Sequence, residues 1–231
     1  MDYRQCMKII SEKDIKSGQA IYTPSVLSVY DLWVVHFSNY WVWRCPWQTQ
    51  LQQFQDNITA NHLDIGVGTG YYLKRCQWPK PTRLALMDLN PNCLNKAKTL
   101  VAELNPETYV ADIFKPQPQL AQQFDSISMN FLLHCLPGDM DNKQVVIENA
   151  AQMLKPNGIL FGATILADPQ LHNVMGKTLA AFYNKKGIFS NQNDKLTALQ
   201  VALERYLTEV DIKVVGGVAL FKGKARVNTQ F

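Results

Sequence analysis

His62-Leu63-Asp64-Ile65-Gly66-Val67-Gly68-Thr69-Gly70-Tyr71-Tyr72-Leu73 decides how the rest of the chain is read. An apolar run breaks into three alternating glycines and passes into a helix-compatible segment, so the stretch reads as a strand, a tight turn and a helix start. Gly66 and Gly68 accept backbone angles that a side chain would forbid, and without Cβ atoms they let a ligand lie against the main chain. An ordinary tight turn has the same composition, and the glycines alone do not separate the two readings.

Spacing narrows the ligand. In the dinucleotide pattern G-x-G-x-x-G the third glycine would fall on Tyr71, whose ring would stand between helix and pyrophosphate, so NAD is disfavoured. The pattern present is D-x-G-x-G-x-G, with Asp64 near the end of the strand. A second apolar strand, Leu84-Ala85-Leu86-Met87-Asp88-Leu89-Asn90, ends in a carboxylate about twenty residues further on, where a ribose diol needs an acceptor. Asp88 could instead cap the next helix, but Asn90, directly before Pro91, suits that role better. A third strand, Tyr109-Val110-Ala111-Asp112-Ile113, also ends in a carboxylate.

With these three matches in order, the chain resembles the class I (Rossmann-like) S-adenosylmethionine (SAM)-dependent methyltransferases of the small-molecule type. The resemblance implies SAM as cofactor and S-adenosylhomocysteine (SAH) as product. Asp64 would support the turn and the methionine ammonium; Gly66, Gly68 and Gly70 would admit the cofactor. Asp88 with Leu89 would hold the ribose, and Asp112 with Ile113 the adenine. Phe124-Asp125-Ser126-Ile127-Ser128-Met129-Asn130 matches the fourth strand, which places Asn130 among the cofactor contacts and His134 at the transferred methyl. His134 is the preferred base because imidazole titrates near pH 6.5; a satisfied core histidine is the other reading.

The same resemblance extends to the C-terminal part. Leu154-Lys155-Pro156-Asn157-Gly158 reads as the turn before the strand Ile159 to Leu166, and Val210 to Val215 with Val218 to Lys224 as a hairpin joined at Gly216-Gly217. The expected fold is α/β: a doubly wound, seven-stranded, mostly parallel sheet with an antiparallel last strand, helices on both faces and an N-terminal helical cap. The expected division is a polar tail over 1–18 and one domain over 19–231. Within that domain, 19–58 is the cap, 59–231 the core, and about 168–195 a helical insertion.

In the cap, Val26, Val29, Trp33 and Phe37 share one face of a regular helix, and Trp33 and Phe37 read as core. In the resembled family such a segment lies over the active site, which makes Tyr22 a cofactor candidate and Tyr30 and Tyr40 acceptor candidates, with His36 and Asn39 nearby. The insertion, helical over about Pro169 to Lys185 and Asp194 to Leu207, offers Tyr183 and Phe189 as acceptor contacts; a plain helix–helix loop is the alternative there.

Composition fits a soluble enzyme. The 231 residues are 47% hydrophobic and 18% charged, with a net charge of +4 from scattered basic residues, so no concentrated basic face for nucleic acid is expected. Five cysteines without C-x-x-C spacing read as free thiols in a reducing compartment, and no ligand cluster points to a metal. The apolar region Val26 to Trp43 is broken by Asp31, His36, Ser38 and Asn39, so a cytoplasmic location without membrane insertion is expected. The reading is methyl transfer to an aromatic or apolar small molecule, with oxygen the favoured acceptor atom and a homodimer left open. The rivals are a tRNA or protein methyltransferase, a non-catalytic SAM-binding partner subunit, and an NAD-dependent oxidoreductase.

Overall fold

The computed structural model describes residues 31–226. Tyr22, Tyr30 and the polar tail over 1–18 lie outside the described residues. Seven strands form one sheet: β1 (Asn61–Ile65), β2 (Arg83–Asp88), β3 (Glu107–Val110), β4 (Phe124–Asn130), β5 (Leu154–Ile165), β6 (Leu207–Val215) and β7 (Val218–Ala225). Their order is β3-β2-β1-β4-β5-β7-β6. The first five are parallel, and β7 enters antiparallel between β5 and β6, as the resemblance implied.

Alternation along the strands assigns the two faces. Leu63 and Ile65 of β1, Ala85 and Met87 of β2, and Ile127 and Met129 of β4 face one side. There they meet α4 (Met140–Met153) through Val146, Ile147 and Ala150, and α6 (Leu196–Tyr206) through Leu199 and Leu203. Leu84, Leu86 and Phe161 face the other side, against Phe54 of α1 (Trp47–Asn57), Leu73 of α2 (Tyr71–Arg75), and Leu94 and Ala97 of α3 (Pro91–Leu100). Each buried Leu or Phe contributes roughly 1.5–3 kcal/mol, so both layers are held mainly by apolar burial. On this second face β1 and β4 depart from the apolar pattern: His62 and Asp64 stand beside Ser126 and Ser128.

Helix starts follow short-range chemistry. Asn90 accepts a hydrogen bond from the Asn92 N–H at 2.9 Å and caps α3, leaving Asp88 free of that duty. Asp139 caps α4 through Asn142 N–H, and Asn173 caps α5 (Val174–Lys185) through Gly176 N–H at 2.7 Å.

Three details differ from the sequence reading. The helix Asp31–Val42 winds with wide π-type turns, and Phe37, expected in the core, is 36% exposed, while Ser38, Asn39, Val42 and Trp43 are buried; the other members of the expected stripe lie outside the described side chains. Leu154 to Gly158 is not a free turn, because Leu154 pairs opposite Phe124 and the ladder resumes, after an irregularity, at Ser126 opposite Ile159. In the insertion a short turn, Pro169–Leu171, precedes α5, and residues 186–195 carry no helix.

Candidate active site

Two adjoining clefts open around the glycine turn at the carboxyl ends of β1, β2 and β4. The first, ≈ 660 Å³, is lined by Asn39, Asp64, Gly66 to Leu73, Asn130 and Phe131. The second, ≈ 870 Å³, is lined by Gly66, Gly68, Asp88, Leu89, Asn90, Cys93, Ala111 to Phe114, Phe131, Leu132 and Cys135 to Pro137, with Ile65 and Met87. Gly66, Gly68 and Phe131 belong to both, so the two spaces meet over the turn. This is the place where strand order reverses from β1 to β4, where ligands of doubly wound sheets collect.

Gly68 has φ +53°, and a Cβ built on it would meet no atom of the described residues within 4 Å, so its open side faces the cleft. Gly70, φ +76°, does different work: a Cβ there would stand 3.1 Å from Ala97 Cα, so the missing side chain lets α2 approach α3. Phe131, directly after β4, also holds a left-handed φ of +56°, fixed by its N–H to Ala163 O at 2.7 Å. Such strain in a bulky residue costs on the order of 1–3 kcal/mol and marks the common wall of both clefts.

Three carboxylates converge on this space. Asp64 is buried and accepts a hydrogen bond from the Ser128 hydroxyl. Burial pushes its carboxyl up to about 7, with the Ser128 bond pulling it back and the nearby Asp88 adding to the rise. Asp88 accepts from Asn90 N–H at 2.8 Å. Burial raises it to about 6, opposed by the backbone N–H groups of Asn90, Gly68, Val67 and Leu89. Asp112 accepts from Phe114 N–H at 3.0 Å and lies on the far side of the second cleft with Ile113. Asn130 adds an unpaired donor: its Nδ2 is buried without a hydrogen-bond partner among the described residues.

The expected cofactor set within the described residues is therefore brought together: Asp64, Gly66, Gly68, Gly70, Asp88, Leu89, Asp112, Ile113 and Asn130 all line one cleft or the other. Of the expected catalytic and acceptor residues, those that the structure describes, His134, Tyr40, Tyr183 and Phe189, line neither of these two clefts. His134 is 3% exposed and lines neither cleft; its Nδ1 lies 3.4 Å from Thr164 Oγ1 and from Ile165 N. Burial, then the Lys143 charge, drives its pKa down to about 3. Phe189 packs edge-on to His134 at 4.5 Å between ring centroids, and Tyr183 edge-on to Phe189 at 4.9 Å, in a cluster with Trp43. The short turn Leu133–Cys135 explains this arrangement, because it turns Leu133 and His134 inward and leaves Leu132, Cys135 and Leu136 to the cleft. Tyr40 is 51% exposed, set edge-on to Trp41, and lines neither cleft.

Leu132, Cys93, Ala111 and Phe114 line the second cleft without having been singled out in the sequence. Ala111 and Phe114 flank Asp112, and that adjacency was the available signal. Nothing in the type of Phe131 announced a left-handed turn.

Known proteins were compared with the chain. It matches the family model of a methyltransferase domain over residues 63–160. It is 44% identical over 207 residues to the physcion biosynthesis cluster O-methyltransferase of Aspergillus chevalieri, spanning 89% of this chain and 93% of that protein. It is 32% identical over 212 residues to demethylluteothin O-methyltransferase of Streptomyces thioluteus, spanning 91% and 92% respectively. The solved structure of the N-methyltransferase NodS from Bradyrhizobium japonicum WM9 in complex with SAH superposes with a TM-score of 0.63 at 17% identity, over 93% of this chain and 99% of that one, and shows the shared fold. Likeness this high along nearly the whole of two curated proteins goes beyond fold, and the chain belongs to the class I S-adenosylmethionine-dependent methyltransferases of the small-molecule type.

Proposed function

We propose that the protein methylates a hydroxyl of a planar, largely apolar small molecule. The observation that carries the choice of oxygen is the naming of the two relatives as O-methyltransferases, one of a physcion biosynthesis cluster and one of demethylluteothin. Phe131, the wall common to both clefts, supports an acceptor with an apolar face. The test is turnover of SAM with matched panels of phenols, amines and thiols, with product masses read by mass spectrometry. Methylated phenols are the expected products; methylation confined to amines or thiols would contradict the oxygen assignment, and SAM binding without turnover on any panel would favour a partner subunit.

Two observations support the fit of the cofactor: Gly68 turns an empty side toward the cleft, and Asn130 Nδ2 is a buried donor without a partner among the described residues. In this reading Asp88 and Leu89 take the ribose, Asp112 and Ile113 the adenine, and Asp64, the glycine turn and Asn130 the methionine end. SAM supplies a methyl that is already electrophilic on its sulfonium, so the chain's work is to hold the acceptor in line and exclude water.

Burial of His134 argues against its use as a base. An imidazole that titrates near 3 stays neutral at working pH but accepts a proton poorly. We therefore assign the reaction to positioning, with the hydroxyl proton passing to solvent. His134→Gln should lower turnover less than about tenfold and leave no missing step in the pH–rate profile, against the 10²-fold or greater loss expected for a general base. A loss of that larger size with SAM affinity intact would return His134 to the catalytic role.

The raised Asp64 carboxyl gives a second check. In the free protein it is largely protonated below about 7, and a bound cation favours its ionised form, so binding releases a proton. SAM affinity should rise as pH increases from about 6 to about 8. Calorimetric affinities that are flat across that range would place the cation away from Asp64.

A further inference from the structure

A buried file of polar groups runs along the inside of β1 and β4 and ends on Asp64. Parallel pairing sets His62 beside Ser126 and Asp64 beside Ser128, all on one face. His62 Nδ1 lies 2.7 Å from Ser126 Oγ, His62 Nε2 lies 3.0 Å from Ser128 Oγ, and the Ser128 hydroxyl reaches Asp64 Oδ1. At the other end Ser126 Oγ accepts from Thr59 N–H at 3.0 Å and lies 2.9 Å from Thr59 Oγ1. His62, Ser126 and Ser128 are wholly buried, so no water competes for these bonds.

One proton per hydroxyl fixes the direction of the file. An ionised Asp64 only accepts, so Ser128 must give it its single proton. Ser128 Oγ then has only lone pairs to offer His62, and His62 must carry its own proton on Nε2. His62 Nδ1 is left as an acceptor, filled by the Ser126 hydroxyl. From Ser126 to Asp64 every bond donates toward the cleft, while the Thr59 hydroxyl divides its one proton between Ser126 Oγ and Asn61 O.

We propose that His62 is a positioning residue for the cofactor: locked as the Nε2–H tautomer, it holds Ser128 as a donor to Asp64 and so keeps that carboxylate charged and aimed at the methionine end of the ligand. The proposal rests on the assignment of Asp64 to the cofactor. The rings around His62, Phe54 of α1, Trp78 and Phe161 of β5, carry no charge, so its polar partners are the two serine hydroxyls and the main chain of Ser126. Asp64 also faces Asp88 at the end of β2 and the Cys76 thiol after α2, and the substitutions below leave both in place. Burial keeps His62 itself neutral, with a pKa near 3, so its contribution is hydrogen bonding rather than charge.

The test has two parts, both on the full chain. Long-range ¹H–¹⁵N spectra of ¹⁵N-histidine protein, with and without SAH and at a pH above 8, should show His62 as the neutral Nε2–H tautomer; the Nδ1–H tautomer in either sample overturns the proposal. SAH affinity is then measured against pH for three variants. Ser128→Ala and His62→Leu should bind SAH about tenfold more weakly at neutral pH, with the pH of half-maximal affinity moved upward. His62→Gln, which keeps a donor and an acceptor, should restore both. If Ser128→Ala matches wild type in affinity and pH dependence, the file does not act on Asp64, and this variant decides the matter even if His62→Leu fails to fold. Absence of SAH binding to the wild type would instead count against the cofactor assignment, and the tautomer of the free protein would still read the file.

Discussion

Gly68→Val should abolish SAM binding while leaving a folded protein. The valine Cβ would project from a backbone at φ +53° into space where no atom of the described residues lies within 4 Å, at the meeting point of the two clefts. The left-handed backbone costs on the order of 1–3 kcal/mol in stability for a branched residue, which a domain stable by roughly 5–15 kcal/mol survives. The ligand loses contact with the main chain itself, and a fall in affinity of at least about a hundredfold, or roughly 3 kcal/mol, is expected. Gly70→Ala is the informative contrast. Its methyl would press on Ala97 of α3 at 3.1 Å, so its main effect should be a lower unfolding midpoint rather than a blocked cleft. Calorimetry with SAH and thermal unfolding of both variants separate the two roles; Gly68→Val with near-normal affinity would mean that the ligand does not lie over the turn.

Lys143→Ala should be among the most destabilising substitutions in the chain. Lys143 Nζ stands 2.5 Å from Asp194 Oδ2 and donates to Ser190 O at 2.7 Å, with both charged side chains wholly buried. Burial alone pushes the lysine down and the aspartate up, and each charge counters that push on the other. Asp194 Oδ1 is buried without a partner among the described residues, so the carboxylate depends heavily on this lysine. The pair ties the segment from Ser190 to Asp194 onto α4, and the same segment bonds to β5 through Asn191 Nδ2 to Ile165 O at 2.9 Å. Removing one partner of a buried pair costs about 3–5 kcal/mol, because an uncompensated charge is left behind. The double variant Lys143→Met with Asp194→Leu should recover most of that. Urea unfolding measures both; a single variant within about 1 kcal/mol of wild type would show that the charge was not buried in solution.

The order of elements was legible because β2 and β5 carry contiguous apolar runs, while β1 and β4 alternate apolar residues with polar ones that are buried all the same, and glycine, proline or a carboxylate bounds them. The cofactor side was legible for a related reason. Asp88 ends β2, Asp64 is the last residue but one of β1, and Asp112 follows β3 by two residues, so each stands near the carboxyl end of a strand. The acceptor side was not. A regular-helix stripe through Phe37 assumed a winding that Asp31–Val42 does not have, and the outcome was Phe37 outside and Ser38 and Asn39 inside. His134 stood at the right distance after β4, but whether it met the cleft depended on how the turn Leu133–Cys135 rotates, which no periodicity encodes. Tyr183 and Phe189 have the composition of a pocket and of a small core alike; Phe189 is buried against Trp43 and His134, and Tyr183, half-buried, packs on Phe189.

The central claim is that the Asp64–Gly70 turn and the carboxylate ending β2 together bind SAM. Titration calorimetry of the full chain with SAM, SAH and NAD, repeated on Asp88→Ala, tests it most directly. The expected result is saturable binding of SAM and SAH, none of NAD, and a loss of about 1.5–3 kcal/mol on Asp88→Ala, as for a hydrogen bond to a charged partner. Equal SAH affinity in a folded Asp88→Ala, or binding of NAD in preference to SAH, would contradict it.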